Sequence, residues 1–373
     1  MKRRIAVMGC VAAASWAAAA CALTGAHPPA PSAPAAERAA PPAPADSGTS
    51  AVLPLPVVFY TPATRLAVGA AVVHTFRPRG QTRPTVSGAE FIYTQNRQVA
   101  ALIGTDVHAG PYRIYGLVGH KKFPNRFFGI GNDTDVDEEY TSRATSVEFG
   151  FEKRVLAPLY LGVSYLLERS EMLEVEEGGL LAGGAVLGSR GGILSGAGLA
   201  LTFDTRDDII APGRGAYARL HVQRFDDAFG GDYDFTRLDL DLRRYVPTRP
   251  GHVLALQGVV RSSTEGAPFH ALAQLGGPCL LRGFRDGRFR DRHLVATQVE
   301  YRMPLWWRFG LAGFAGAGQV AGAPADLSFD RLHLAAGVGL RLRASGRNRL
   351  NLRLDFGYAR GASGLYITAG EAF

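Results

Sequence analysis

The residues best suited to do chemistry lie in the run LGGPCLLRGFRDGRF, from Leu275 to Phe289. Two adjacent leucines precede Arg282, Gly283 and Phe284, and further charged residues follow. A loop exposed to water would be unusually apolar at the start of this run and unusually cationic at its end. An arginine in such a run either pairs with a carboxylate away from bulk water or is solvated at the surface, and we favour the ion pair.

Other residues that could carry chemistry give weaker signals. Asp133, Asp135 and Asp137 alternate as in a calcium loop, but the glycine and the downstream glutamate of an EF-hand are missing, so we favour a solvated acidic loop. The sequence contains no H-E-x-x-H, C-x-x-C or G-x-S-x-G motif. We therefore expect no cofactor, no metal and no enzymatic activity.

The N-terminal residues have the pattern of a secretory signal. Met1-Lys2-Arg3-Arg4 is basic, and the uncharged run from Ile5 to Ala20 is too short to span a bilayer comfortably. We expect a signal peptide over residues 1–26, and two alternatives stay open: cleavage near Ala26, or a lipoprotein signal that ends before Cys21. Residues 27–53 are mostly proline, alanine and serine, which predicts a disordered linker.

The charge of the chain does not indicate nucleic-acid binding. The formal net charge is +8, but the predicted export signal and the scattered basic residues argue against a nucleic-acid partner. After the leader, no uncharged run approaches the roughly 20 residues of a transmembrane helix. A membrane-spanning form of this chain would therefore cross as strands.

The dominant pattern along the chain is strict alternation of apolar and polar residues. In RLHLAAGVGLRLRA, Leu334, Val338 and Leu340 share one face, while Arg341 and glycines share the other. A soluble β-sandwich also alternates, but segments of ten or more residues with glycines and charges of both signs on the polar face are typical of a barrel that crosses a membrane. We therefore predict an all-β, transmembrane antiparallel β-barrel.

Sixteen such segments can be counted from residue 57, the last of them over residues 363–373, so the barrel is predicted over residues 54–373 with about sixteen strands and no separate periplasmic domain. Short turns at 247–251 and 304–308 alternate with long connections at 123–140, 171–191 and 264–291, as periplasmic turns alternate with extracellular loops. Trp306 and Trp307 lie at a short turn, where an aromatic belt would be.

The same alternation predicts a partner for Arg282. In LVATQVEYRMP, Val295, Val299 and Tyr301 point outward, which turns Glu300 inward. Glu300 is therefore the predicted inner-wall partner of Arg282. Other inward charges alternate in sign and predict charge lacing of a lumen: Asp239, Asp241 and Asp355 with Arg237, Arg243 and Arg353.

Several motifs together resemble the BamA/TamA-type surface-antigen superfamily of outer-membrane proteins, over nearly all of residues 57–373. LLRGF resembles the family's sixth-loop signature, in which the loop folds into the lumen and its arginine pairs with acidic residues. FFGIGNDT and GLYITAGEAF resemble a branch without POTRA domains, and Phe373 resembles the recognition signal at the end of outer-membrane barrels. FDTRDDIIAPGRGAY resembles the family's periplasmic turn motif, here carried by Asp204, Arg206, Asp207, Pro212 and Gly215.

The resemblance implies a location in the bacterial outer membrane and a role in membrane-protein insertion or export. The alternative is a passive pore or structural surface barrel with a loop-plugged lumen. Implied partners are outer-membrane lipid, the barrel assembly machinery during insertion of this chain, and client proteins. The sequence departs from the family in two ways: linker residues stand where POTRA domains are expected, and Gly316 replaces an expected acidic partner of the loop arginine.

Overall fold

The computed structural model describes residues 49–61, 65–77, 83–343 and 351–373. The predicted signal peptide and most of the predicted linker lie outside these residues. No helix in the described part of the chain is long and apolar enough to cross a membrane. Apart from three single-turn 3-10 segments, Asp227–Phe229, Pro324–Asp326 and Phe329–Arg331, the regular structure of the described residues consists of β-strands.

The strands alternate with connections along the whole described chain. They are β1 Thr49–Thr61, β2 Arg65–Arg77, β3 Thr85–Thr94, β4 Val99–Ala109, β5 Tyr112–Phe127, β6 Glu138–Leu156, β7 Leu159–Val175, β8 Gly191–Asp204, β9 Gly215–Phe225, β10 Phe235–Arg249, β11 His252–Ser263, β12 Ala273–Leu275, β13 Phe289–Asp291, β14 His293–Pro304, β15 Phe309–Ala321, β16 His333–Arg343, β17 Asn351–Ala359 and β18 Ala362–Ala369.

Sixteen of these strands form one antiparallel sheet in chain order, with β11 beside β14, which confirms the predicted count. The short strands β12 and β13 pair with each other inside the connection from β11 to β14. The sheet curls strongly, since Asn132 Nδ2 after β5 donates to the Arg331 carbonyl after β15 over 2.8 Å. Among the described residues, no hydrogen-bonded pairing joins the edge strands β1 and β18.

The two faces of the sheet differ in the way that the alternation predicts. On the outward face, large apolar side chains stay exposed, as with Ile103 at 66% and Leu334 at 65%. On the inward face, charged side chains such as Arg113 and Glu300 are fully buried. The sandwich alternative is wrong, because its apolar faces would have to pack against a second sheet.

Connections at the two ends of the sheet differ in length. One end, here called the long-loop end, carries connections 128–137, 176–190, 226–234, 264–292 and 322–332. The opposite, short-turn end carries 110–111, 157–158, 250–251 and 305–308. The predicted long connections are thus present, but the first two are shorter than expected because β5, β6 and β7 extend further toward that end. Trp306 and Trp307 lie at the short-turn end and are 67% and 77% exposed.

The sheet also begins and ends earlier than expected. The boundary between linker and barrel was predicted at residue 54, but β1 begins at Thr49, because residues 49–53 pair with β2 as far as Arg77. The last strand was predicted to run to Phe373, but β18 ends at Ala369. Gly370 adopts a φ of +85°, which turns the chain out of the sheet.

Candidate functional site

The connection 264–292 folds back over the inward face of the sheet. Its hairpin β12–β13 brings Leu275 opposite Phe289, and the tip of the connection lies between them in sequence. Leu275, Leu280, Leu281, Phe284 and Phe289 are buried in one cluster with inward residues of β11 and β14 to β17. The adjacent leucines of LLRGF are therefore apolar because they pack against the inner wall, not because they face water.

Arg282 lies at the centre of this site and is 1% exposed. Its Nη2 atom is 2.6 Å from Glu300 Oε2, an ion-pair contact without the alignment of a hydrogen bond. Its Nη1 atom donates to Asp355 Oδ2 over 2.5 Å. The guanidinium carbon also lies 3.5 Å from the centroid of the Phe314 ring, a cation–π contact. These contacts exclude the alternative of a solvated surface arginine.

The main chain of the tip is held as closely as the arginine. A Cβ atom on Gly357 of β17 would lie 2.5 Å from the carbonyl carbon of Arg282, so only glycine lets the tip approach there. Gly283 has a φ of +132° and donates its N–H to Tyr366 Oη over 3.0 Å. The same hydroxyl donates to the Phe284 carbonyl over 2.8 Å. Tyr366 thus satisfies a buried donor and a buried acceptor of the tip.

Gly316 explains one departure from the family pattern. A Cβ atom at this position would come within 3.2 Å of Leu281 Cδ1, so the missing side chain makes room for the loop leucine. The sequence predicted that Gly316 replaces one expected acidic partner of Arg282, and position 316 offers no carboxylate. Asp355, five residues into β17, supplies the second carboxylate, because the curl of the sheet brings β17 to the same point as β14.

Three more arginines and one more carboxylate join these ion pairs, mostly toward the short-turn end. Arg353 Nε lies 3.3 Å from Asp355 Oδ2. Arg302 Nε donates to Glu300 Oε1 over 2.7 Å, and Arg341 Nη1 donates to Asp355 Oδ1 over 2.5 Å. Glu371 Oε2 lies 3.0 Å from Arg341 Nε and 3.6 Å from Arg302 Nε. We call residues 370–373 the strap, and this set the loop–strap network: Arg282, Glu300, Arg302, Arg341, Arg353, Asp355 and Glu371.

Phe373 lies in the strap and points into the interior rather than completing the last strand. It is 4% exposed and packs with Tyr245 of β10 and Ala255 of β11. Arg302 Nη2 donates to the Phe373 main-chain oxygen over 2.8 Å. The predicted position at the end of β18 is therefore wrong, since a main-chain turn at Gly370 separates this phenylalanine from the strand.

The residues of the predicted turn motif hold the connection 205–214 together. Asp204 pairs with Arg206 over 3.0 Å, and Asp207 Oδ1 accepts from the Gly213 N–H over 2.8 Å. Gly215 has a φ of +109°, and a Cβ atom there would clash with the Thr205 carbonyl. Pro212 is buried. The motif thus forms a turn at the short-turn end, and its Arg206 also lies over the Tyr217 ring of β9.

A second group of buried charges lies on the inner face of other strands. Arg113 of β5 forms a bidentate pair with Asp106 of β4, with N–O distances of 2.8 and 2.9 Å. Its Nη1 atom lies 3.3 Å from Glu152 of β6, which also pairs with Arg219 of β9. We call Asp106, Arg113, Glu152 and Arg219 the strand network. Elsewhere the predicted lacing is present, as in Arg243 with Asp241.

The long-loop end is covered by the outer part of the same connection. The Phe269 ring lies 5.3 Å from that of Phe127 and 5.7 Å from that of Tyr140. Burial lowers the pKa of the neighbouring His270 to about 4, so this ring is neutral at pH 7. In the acidic run after β5, Asp133 pairs with Arg331 over 3.0 Å. No group of three or more metal-ligating side chains occurs among the described residues.

Sequence reasoning found Glu300 but missed several residues of the site. Asp355 and Arg353 were recognised as inward, yet not as neighbours of Arg282. Arg341 lay on the polar face of a clear alternation, so its inward direction was visible and its partners were not. Tyr366 and Glu371 gave no usable signal, because their roles depend on where the tip and the strap lie.

Comparison with known proteins agrees with the fold and with the family resemblance. Residues 132–373 match the Omp85 superfamily domain, which confirms the resemblance. BamA from Haemophilus ducreyi lacking POTRA domains 1–3 is 14% identical with a TM-score of 0.53, over 84% of this chain and 67% of that one. CdiB from Acinetobacter baumannii is 10% identical with a TM-score of 0.54, over 83% of this chain and 56% of that one. CdiB from Escherichia coli is 9% identical with a TM-score of 0.55, over 88% of this chain and 62% of that one. This chain thus spans less than two thirds of either CdiB chain. No curated protein matches it.

Proposed function

This chain belongs to the Omp85 superfamily, and from that membership we propose that it is an outer-membrane β-barrel that assists the insertion or export of membrane proteins. The observation that carries the proposal is the loop tip on the inner face, with Arg282 between Glu300 and Asp355. Connections longer than about 12 to 15 residues are uncommon and usually functional, and the connection 264–292 is well above that length.

The outward face supports a membrane location for this function. Its exposed apolar side chains would contact outer-membrane lipid, and the tryptophans at 306 and 307 would lie at one interface. The barrel assembly machinery would insert this chain itself, and unfolded membrane proteins would be its clients. The proposal includes no reaction and no cofactor, because Glu300, Asp355 and Glu371 are each engaged by arginines.

Reconstitution tests this proposal. The purified protein is placed in liposomes, and the folding rate of an added, urea-unfolded outer-membrane barrel is followed by its heat-modifiable migration. We expect faster folding than in empty liposomes or in liposomes with an unrelated barrel of similar size. Equal rates in all three preparations would reject a role in insertion.

A passive or structural barrel is the second candidate, and the covered interior favours it. The connection 264–292 packs at the long-loop end through Phe269 and at the inner wall through Leu281, so the resting lumen is occupied over much of its length. A passive barrel would show stable channel conductance or none in planar bilayers, and it would leave the folding rate of an added barrel unchanged. Those two results together would favour this candidate.

A further inference from the structure

The strap crosses a large part of the interior without belonging to the sheet. After β18, Gly370 still donates its N–H to the Asn351 carbonyl over 2.8 Å. Three residues later, Phe373 packs against β10 and β11, which stand six and five positions away from β18 in the sheet. The strap therefore passes over the inner ends of the strands between them, at the short-turn end.

The strap and the loop tip are linked through charged side chains of the inner wall. Glu300 is contacted by Arg282 from the tip and by Arg302 and Arg341 from the wall. Arg302 and Arg341 are in turn held by Glu371 of the strap. No direct contact between tip and strap is needed for coupling, because Glu300 and Asp355, which hold Arg282, also pair with the wall arginines that Glu371 contacts.

Charge balance gives this coupling a direction. The loop–strap network contains four arginines and three carboxylates, all of them buried or nearly so. If the strap leaves, four arginines share only Glu300 and Asp355. Repulsion among buried like charges then falls on the one arginine of the network that does not lie on a strand of the sheet, and that is Arg282 on the loop.

We propose that the strap is a latch at the short-turn end of the lumen: the loop tip leaves the inner wall, and a conducting path opens, only after Glu371 releases Arg302 and Arg341. This inference goes beyond the proposed function, because it concerns when the lumen opens and holds for an insertion factor and for a pore alike. Arg302 also donates to the Phe373 main chain, so the latch has an ionic part and an apolar part.

Reactivity of Cys279 reports on the position of the tip. This residue lies three positions before Arg282, and its carbonyl accepts from Gln298 Nε2 over 2.7 Å. Its thiol is partly buried in the intact protein. Maleimide labelling of the full-length protein, followed at the peptide that contains Cys279, therefore measures displacement of the tip separately from labelling at other cysteines.

Two variants test the latch, and each removes one of its two parts. Glu371→Gln removes its charge, and Phe373→Ala removes its apolar anchor while leaving all seven charges in place. We expect each to raise the labelling rate of Cys279, and the frequency of channel openings in planar bilayers, by about tenfold. The matched control is Glu177→Gln, which neutralises an exposed glutamate on the connection 176–190 and should change neither rate.

The outcomes separate the latch from simpler explanations. A labelling rate in Glu371→Gln equal to that of the control overturns the proposal. An increase in Glu371→Gln without one in Phe373→Ala also overturns it, because the effect is then local to one charge. Folding of each variant is checked by heat-modifiable migration, and Glu371→Asp, which keeps the charge on a shorter side chain, replaces a variant that fails to fold and should give a smaller increase.

Discussion

The inner face carries two buried ion-pair networks that are built from different parts of the chain. The strand network joins Asp106, Arg113, Glu152 and Arg219, all of which lie on strands of the sheet. In the loop–strap network, Arg282 and Glu371 lie outside those strands, on segments that meet only in the interior. Both networks are desolvated, yet only the second has members that can leave while the sheet stays intact.

Breaking chemically similar ion pairs should therefore have different effects in the two networks. Breaking the strand network removes cross-strand ion pairs that fix the curl of the sheet, so it should lower the free energy of unfolding. Breaking the loop–strap network releases the loop tip or the strap. It should therefore lower the stability of the protein and also change which segment occupies the lumen. Stability and tip displacement, measured on the same variants, should therefore separate the two networks.

The largest effect is expected for Arg113→Ala. Removing this side chain leaves Asp106 without its bidentate arginine, and uncompensated buried charges of this kind cost about 3 to 5 kcal/mol. We expect the free energy of unfolding in urea, followed by heat-modifiable migration in lipid, to fall by that amount. The labelling rate of Cys279 should stay unchanged.

Two further proteins make this first test specific. Arg154→Ala removes an exposed arginine at the end of β6 and should have an effect near zero. Arg113→Ala combined with Asp106→Asn should recover part of the loss, since no unpaired charge remains on β4. A faster reaction of Cys279 in Arg113→Ala would show that the two networks are not separate.

The residues on strands could be predicted from the sequence better than those on the loop and the strap. Alternation sets the direction of every side chain in β14, so Glu300 could be assigned to the inner wall from its neighbours alone. The same rule turned Asp355 inward, but its contact with Arg282 depends on the curl of the whole sheet, which local periodicity does not contain. Phe373 was misplaced because a strand pattern does not reveal that Gly370 turns the chain away.

A smaller loss of stability is expected for Arg282→Ala than for Arg113→Ala. Glu300 keeps Arg302 and Arg341, and Asp355 keeps Arg341 and Arg353, so the carboxylates stay compensated. We expect about 2 to 3 kcal/mol from the lost charge-assisted contacts and the cation–π contact with Phe314. Labelling of Cys279 should rise at the same time, in contrast to Arg113→Ala.

The double-mutant cycle with Glu300→Gln measures how much of this loss belongs to one pair. Because Asp355 also holds Arg282, we expect a coupling between Arg282 and Glu300 of about 1 to 2 kcal/mol. Additivity within about 0.5 kcal/mol would mean that Glu300 does not hold the tip. A second cycle with Asp355→Asn should give coupling of similar size.

Gly357→Ala should displace the tip with every charge in place. The new methyl group would lie 2.5 Å from the carbonyl carbon of Arg282, so the tip must move, at a cost of about 1 to 3 kcal/mol for an overpacked contact. Cys279 should react faster in this variant. Gly313→Ala on β15 is the matched control, because its methyl group meets no atom within 4 Å. Equal reactivity in the two variants would contradict the close approach of the tip to β17.

The smallest effects are expected from removing one tyrosine hydroxyl beside each network. Tyr366→Phe removes the oxygen that accepts from the Gly283 N–H and donates to the Phe284 carbonyl, which leaves two buried groups of the tip unsatisfied. Tyr115→Phe removes an acceptor of Arg219, which keeps Glu152 as its partner. We expect a loss of about 1 to 2 kcal/mol for the first variant and under about 1 kcal/mol for the second. Only Tyr366→Phe should raise the reactivity of Cys279, because only its hydroxyl touches the loop. If both variants raised it equally, the tip would be responding to general loosening of the sheet, and the distinction between the two networks would fail.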